Sequence, residues 1–261
     1  KRRIEEIAIA DLDKKFIEDY YNWMLGTCAL ASSTAFCRVN TLKWLMYTAQ
    51  ERGWIKLHPF IGFDCLPEYK RRSFLTEEDL QRVIHVKLNY KRQRAIRDMF
   101  LFMCFTGLAY ADLKEITYKN IHTDSEGGTW LMGNRIKTGV SYVVKLLPIA
   151  IELVERYKGE NKKKSSPDKV FPVGEYQTMV SSLRVLTQKC GCSTEITPHI
   201  GRHTFAVLAI LKGMPLETLQ KVLGHKSILS TQIYAELINP KVGEDTDKLC
   251  MKIGDVYRLT N

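Results

Sequence analysis

The sequence predicts a mainly α protein of two units, with a small antiparallel β-sheet set into the second. Three observations lead there. Apolar residues recur at helical spacing through residues 1–67. A basic stretch without periodicity then runs into a capped, acidic helix start at Thr76. Further on, Trp130 to Leu147 alternates apolar and polar side chains, as a half-buried strand does.

In the first unit, Phe16, Tyr20, Trp23 and Met24 recur at helical spacing, as do Val39, Leu42, Leu45, Met46 and Ala49. All are expected to pack in a core. The run Pro67-Glu68-Tyr69-Lys70-Arg71-Arg72-Ser73 reads as a linker across 68–75, able to lie over phosphates through Lys70, Arg71 and Arg72. Thr76 is an N-cap, with Glu77, Glu78 and Asp79 in the first turn and Leu75 and Leu80 as a hydrophobic staple. It opens a second unit over 76–261.

There, Asp98 to Phe105 is apolar nearly all round, which predicts a central buried helix ended by Thr106-Gly107. The alternation of 130–147 is expected to break at Gly133-Asn134 and at Thr138-Gly139. Pro148 to Lys158 reads as a helix, Lys162 to Pro167 as a solvated loop, and the chain from Glu175 as helical again. Pro198 suits a helix start. Gly213-Met214-Pro215 ends that helix, and Leu216 to Leu223 forms a short one closed by Gly224. Tyr234 lies in the next helical stretch.

The 261 residues and 45% hydrophobic content suffice to fill a core and argue against disorder. A net charge of +10 favours a polyanionic partner, nucleic acid ahead of a membrane surface. The seven cysteines are scattered, and Cys190-Gly191-Cys192 is too tight for a metal knuckle. Reduced thiols in a cytoplasmic, nucleoid-associated bacterial protein are expected, with no signal peptide and no membrane span. The absent initiator Met reads as a fragment, with room for a preceding DNA-binding domain.

Chemistry concentrates near the C-terminus. His199 and Arg202 are three apart in Thr197-Pro198-His199-Ile200-Gly201-Arg202-His203-Thr204-Phe205 and share a helix face. Leu223-Gly224-His225 follows, and Tyr234 lies nine positions beyond that histidine. Imidazole and guanidinium can neutralise a phosphate, and a phenol can form an ester with it.

These segments resemble the H-x-x-R-H-[ST]-[FH] and L-G-H boxes of the tyrosine recombinases, the integrase family, with Tyr234 where that family carries its nucleophile. Phe105-Thr106-Gly107-Leu108 and Asp112-Leu113 resemble the box T-G-[LM]-R-x-x-E/D-L, and Lys137 falls in a hairpin as the family's lysine does. The resemblance covers about residues 76–240. It implies an α+β catalytic domain preceded by a helical, SAM-like core-binding domain over 1–67. One position departs: Ala109 stands where the family has its first arginine. Arg135 is the candidate replacement, two residues from Lys137 and so on the same face if both lie on a strand. Similar replacements occur in integrases of Bacteroides-type mobile elements, which the chain resembles.

The resemblance implies that Tyr234 attacks the scissile phosphate to give a 3′-phosphotyrosyl bond and a free 5′-hydroxyl. Arg202 and His225 hold the non-bridging oxygens, Lys137 protonates the leaving oxygen, and His199 accepts the tyrosine proton or positions the tyrosine. Asp112 is expected to orient charged groups from behind, and His203 to turn to another helix face in a supporting role. No metal, ATP or other cofactor is called for. The implied partners are double-stranded DNA with specific recombination sites, a homotetramer on two duplexes and accessory DNA-bending factors. The implied C-terminal tail over Asp245 to Ile253 docks in cis or on a neighbour. Two other readings remain: a DNA-binding accessory protein with a degenerate site, favoured by Ala109, and a type IB topoisomerase.

Overall fold

Residues 7–67, 72–158 and 168–236 are described in the computed structural model. The chain falls into two units, 1–71 and 72–261. Lys70, Arg71, the lysine loop at 162–167 and the C-terminal stretch lie outside the described residues.

The first unit rests on two helices, α1 (Lys14–Gly26) and α2 (Ser32–Glu51). Asp13 caps α1 by accepting from the Phe16 amide at 2.8 Å. Ile17, Met24, Ala35, Val39, Met46 and Ala49 form its core with Ile55 and Phe60. Two expected core residues do not go inside: Trp23 is 50% exposed and Leu45 41%. Each lies at the margin of its apolar stripe, where the helical spacing assigned it too generously. Helix also stops earlier than expected, because Gly53 adopts a positive φ of 72° and turns the chain out of α2. Residues 52–67 run as turns and coil.

The second unit opens as the capping pattern requires. Thr76 Oγ1 accepts from the Asp79 amide at 3.1 Å and starts α3 (Glu77–His85), while Leu75 and Leu80 are both buried in one cluster. The apolar run becomes α4 (Lys91–Thr106), which ends where Gly107 enters the left-handed region at φ 71°. Asp98, buried on α4, is held by Arg97, Arg156 and Tyr157, which ties α4 to α6 (Pro148–Tyr157). A short α5 (Tyr110–Glu115) follows α4.

The sheet is antiparallel and three-stranded in the order β1-β2-β3, with β1 (Ile121–Thr123), β2 (Thr129–Asn134) and β3 (Ser141–Lys145). Strand β1 was not legible, since three residues carry too little alternation to read. The expected break at Gly133-Asn134 is absent, because both residues pair in β2, Gly133 with Tyr142 and Asn134 with Ser141. Glycine stands there for a packing reason: a Cβ on Gly133 would lie 2.6 Å from the Tyr142 hydroxyl.

The remaining helices are α7 (Tyr176–Cys190), α8 (Pro198–Leu211), α9 (Leu216–Leu223) and α10 (Leu229–Ala235). Helix α8 begins with Thr197 as N-cap and Pro198 inside the first turn. It lies against α4 at Gly201, where a Cβ would come within 3.1 Å of Met103 Cβ and 3.2 Å of Phe100. Phe205, Ala206, Val207, Ile210, Leu219, Leu223 and Tyr234 close a second cluster between α8, α9 and α10. None of the described helices is long and apolar enough to cross a membrane.

Candidate active site

The C-terminal ends of α4 and α9 meet the first turns of α8, and this junction fixes Arg202. Its guanidinium donates from Nη1 to the Gly107 carbonyl at 2.6 Å and from Nη2 to the Leu223 carbonyl at 2.9 Å. Helix C-termini present carbonyls without helical partners and a partial negative charge, so a cation is favoured there. Arg202 is only 6% exposed. Burial lowers its pKa to about 10, and the nearby charge of Arg135 adds to the effect. Gly107 cannot be replaced freely, because a Cβ would lie 2.6 Å from Phe205 and 2.7 Å from Leu223.

Arg135 enters the same pocket from the turn after β2. Its Nη1 lies 2.5 Å from Asp112 Oδ2, with side-chain exposures of 11% and 3%. The other carboxylate oxygen of Asp112 accepts from the Ile136 amide at 2.9 Å. One carboxylate therefore grips both the arginine and the turn that carries it. Burial lowers the Arg135 pKa, and Asp112 opposes the shift. Gly224, at φ 61°, lies under the arginine stem: a Cβ there would meet Arg135 Cγ at 2.8 Å and Cδ at 3.0 Å. Ala109, the N-cap residue of α5, sits three residues before Asp112 and offers no charge.

The expectation that Arg135 and Lys137 share a strand face is not met. Strand β2 ends at Asn134, and the Thr138 and Gly139 amides both donate to the Arg135 carbonyl, at 3.3 and 2.8 Å. The two-residue period of a strand does not apply in such a turn. Arg135 turns inward, whereas Lys137 stands exposed at the hairpin tip.

The imidazoles are also redistributed. His203 Nδ1 lies 3.0 Å from the Tyr234 hydroxyl. Contrary to expectation, His203 shares a face with His199; four residues apart on one helix, their rings stack at 6.4 Å between centroids. His199 is the exposed member of the pair. The (i, i+4) rule contained this signal and points to His203 as readily as to His199. His225 is held by Thr231, with Nδ1 2.8 Å from Oγ1, and its ring stacks on Tyr234 at 6.5 Å. Burial, with neighbouring positive charge, lowers the pKa of both His203 and His225 to about 4, so both are neutral at pH 7. Tyr234 itself is 1% exposed. Thr231, Tyr142 and the two carbonyl acceptors of Arg202 were not singled out by sequence, because the pattern of a helix says nothing of which backbone groups its neighbours present.

Burial raises the pKa of Tyr142 to about 12, with Asp112 adding to the shift, so it remains a neutral hydroxyl beside the Arg135–Asp112 pair. Arg72 is exposed, at the start of the second unit. Among the described residues no group of three or more His, Cys, Asp or Glu side chains is arranged to hold a metal ion.

Both units match known protein families. Residues 73–239 match the phage integrase family and residues 1–66 the phage integrase SAM-like domain. The tyrosine recombinase XerA of Saccharolobus solfataricus is 32% identical over 176 residues, which is 66% of this chain and 56% of that protein. The chain thus spans little more than half the length of this relative. A tyrosine recombinase of Pseudothermotoga lettingae is 22% identical over 94% of this chain and 85% of its own length. Among solved structures, the Tn1549 transposon integrase in complex with a circular intermediate DNA superposes with a TM-score of 0.72 at 19% identity, covering 95% of this chain and 89% of that one. A lambda integrase dimer bound to a core site gives 0.70, also at 19% identity, over 89% and 83% of the two chains. With both units matched and the boxes gathered around one buried tyrosine, the chain belongs to the phage integrase family, the tyrosine recombinases.

Proposed function

We propose that this protein is a site-specific DNA recombinase that cleaves and rejoins DNA through a phosphotyrosine at Tyr234. The observation that carries the reading is the grouping of Arg202, Arg135, His203 and His225 around Tyr234, with His203 Nδ1 3.0 Å from its hydroxyl. In the cleavage step, Tyr234 Oη forms a bond to the scissile phosphorus as the bond to the 5′-oxygen breaks. The tyrosine proton passes to neutral His203, which is placed at hydrogen-bond distance. Lys137 Nζ, exposed on the hairpin tip, protonates the leaving 5′-oxygen. His199 at the exposed end of the ring stack supports His203 and meets DNA. Rejoining is the same sequence in reverse, with a 5′-hydroxyl from another strand, and needs neither metal nor ATP.

Charge on the transition state falls to two guanidiniums. Arg202 uses two of its five N–H donors on carbonyls and a further contact on Tyr234, and turns the rest to phosphate oxygens. Arg135 takes the place vacated at Ala109, fixed by Asp112 instead of by the helix that normally carries the arginine. His225, its Nδ1 engaged by Thr231, offers Nε2 to the phosphate. Because Tyr234 is 1% exposed, α10 must shift to present the hydroxyl in line.

The first unit serves as the core-binding domain, the basic stretch at 68–75 follows the DNA backbone, and the second unit is catalytic. A homotetramer on two duplexes, action on a mobile element of Bacteroides type and help from DNA-bending factors complete the reading. The +10 charge supports a DNA partner. Ala109 favours the second reading, a DNA-binding accessory protein without cleavage. Arg135→Ala separates the two: with DNA affinity kept, it should lose covalent complex formation by about 10²-fold or more, the scale of a missing oxyanion donor. A wild-type protein that binds its site and never forms the covalent complex would establish the accessory reading.

A further inference from the structure

The segment that leads into α3 is not a free tether where it reaches the second unit. The Leu75 amide donates to Thr204 Oγ1 at 2.9 Å, and Thr204 is the residue after His203 on α8. Leu75 is 1% exposed and Thr204 fully buried, so this bond is sealed from water. The Thr194 hydroxyl donates to the Phe74 carbonyl at 3.5 Å, and the Phe74 ring packs on the cluster that contains Phe205, Leu223 and Tyr234. Arg72 is three residues upstream of Leu75, and its side chain is exposed. Among the described residues its guanidinium has no ion pair and no hydrogen bond. Arg202 and Arg135, by contrast, each commit part of their donors to protein acceptors.

We propose that Arg72 is a third cation for the scissile phosphate, held over the active site by the Leu75–Thr204 anchor, and so a catalytic residue as well as a DNA contact. The inference rests on the recombinase reading. The anchor fixes the chain just downstream of Arg72 beside His203, and the arginine adds to the lowering that burial causes in the pKa of His203 and His225. A guanidinium in that position stabilises the charge that builds on the non-bridging oxygens, which matters most where one of the family's arginines is absent at Ala109.

The test compares full-length wild type, Arg72→Ala and Arg72→Lys on two nicked DNA substrates, at saturating protein. One carries an ordinary scissile phosphate and the other a neutral methylphosphonate there. If Arg72 neutralises that phosphate, Arg72→Ala should cut the ordinary substrate about 30- to 100-fold more slowly. It should cut the methylphosphonate within about 3-fold of wild type, since the charge it served is gone. Arg72→Lys should fall between. An equal loss on both substrates, or a loss that vanishes at saturation, would reduce Arg72 to a DNA-affinity contact and overturn the proposal. If wild type cleaves neither substrate, the recombinase reading fails and the proposal falls with it. Arg72 is exposed, so unchanged thermal melting is expected and separates these outcomes from misfolding.

Discussion

Replacing Gly224 by alanine would show whether Arg135 is the working substitute for the missing arginine. The glycine is in the left-handed region at φ 61°. Alanine there costs about 1–2 kcal/mol in backbone strain. The new methyl would also lie 2.8 Å from Arg135 Cγ and 3.0 Å from Cδ, closer than carbon atoms approach. The arginine stem can bend away, so the stability cost stays near the backbone figure, a fall of roughly 2–8 °C in Tm for a unit of this size. The cost to chemistry is larger, because displacing a guanidinium by about 1 Å is enough to remove about 10²-fold in rate. Single-turnover cleavage of a nicked substrate at saturating protein measures that rate. The double variant Gly224→Ala/Arg135→Ala should be no slower than Arg135→Ala alone, since both changes act through one side chain. Cleavage by Gly224→Ala within about 3-fold of wild type, in a folded protein, would refute the argument, as would fully additive losses in the double variant.

Four further outcomes follow from the described contacts. Asp112→Asn leaves the Arg135 charge buried without its partner and should lower stability by about 3 kcal/mol and cleavage with it; Asp112→Glu should restore part of both, and urea unfolding with parallel cleavage assays reads them. His203 and His225 have folded pKa values lowered from 6.5 to about 4, so the unfolded state binds more protons below pH 6.5. Stability should be full above about pH 6.5 and decline as the pH falls toward 4, seen as a falling urea midpoint that flattens in His225→Gln. A bound phosphate favours the protonated imidazoles, so DNA affinity should rise over the same fall in pH. Thr204→Val strips the buried Leu75 amide of its acceptor and should cost about 1–3 kcal/mol in thermal or urea unfolding.

The helices were legible where local chemistry decides them: the Thr76 cap, the Gly107 and Gly224 stops and the Pro198 start all stand where the sequence places them. The sheet was half legible. Period-two alternation found β3 and most of β2, but Gly133 read as a break although the Tyr142 ring fills the space its missing side chain leaves. At the site, the motif spacing brought Arg202, His225 and Tyr234 together, because each box sits at a helix end whose position the fold fixes. The errors lie in directions. Arg135 and Lys137 were given strand geometry in a turn, and His203 was assigned to another helix face although it is one helical turn from His199 and reaches Tyr234. Sequence spacing gives a face only after the element is known, and the partner of a side chain only after the neighbouring elements are placed.

Covalent trapping tests the central claim most directly. A labelled duplex, nicked beside the cleavage position so that the released 5′-end diffuses away, is mixed with wild type and with Tyr234→Phe, and the products are run on a denaturing gel and digested for mass spectrometry. The account predicts a protein–DNA band with wild type, a phosphodiester remnant on the peptide containing Tyr234, and no band with Tyr234→Phe. No band from wild-type protein on a site it binds, or a remnant on a different tyrosine, would contradict it.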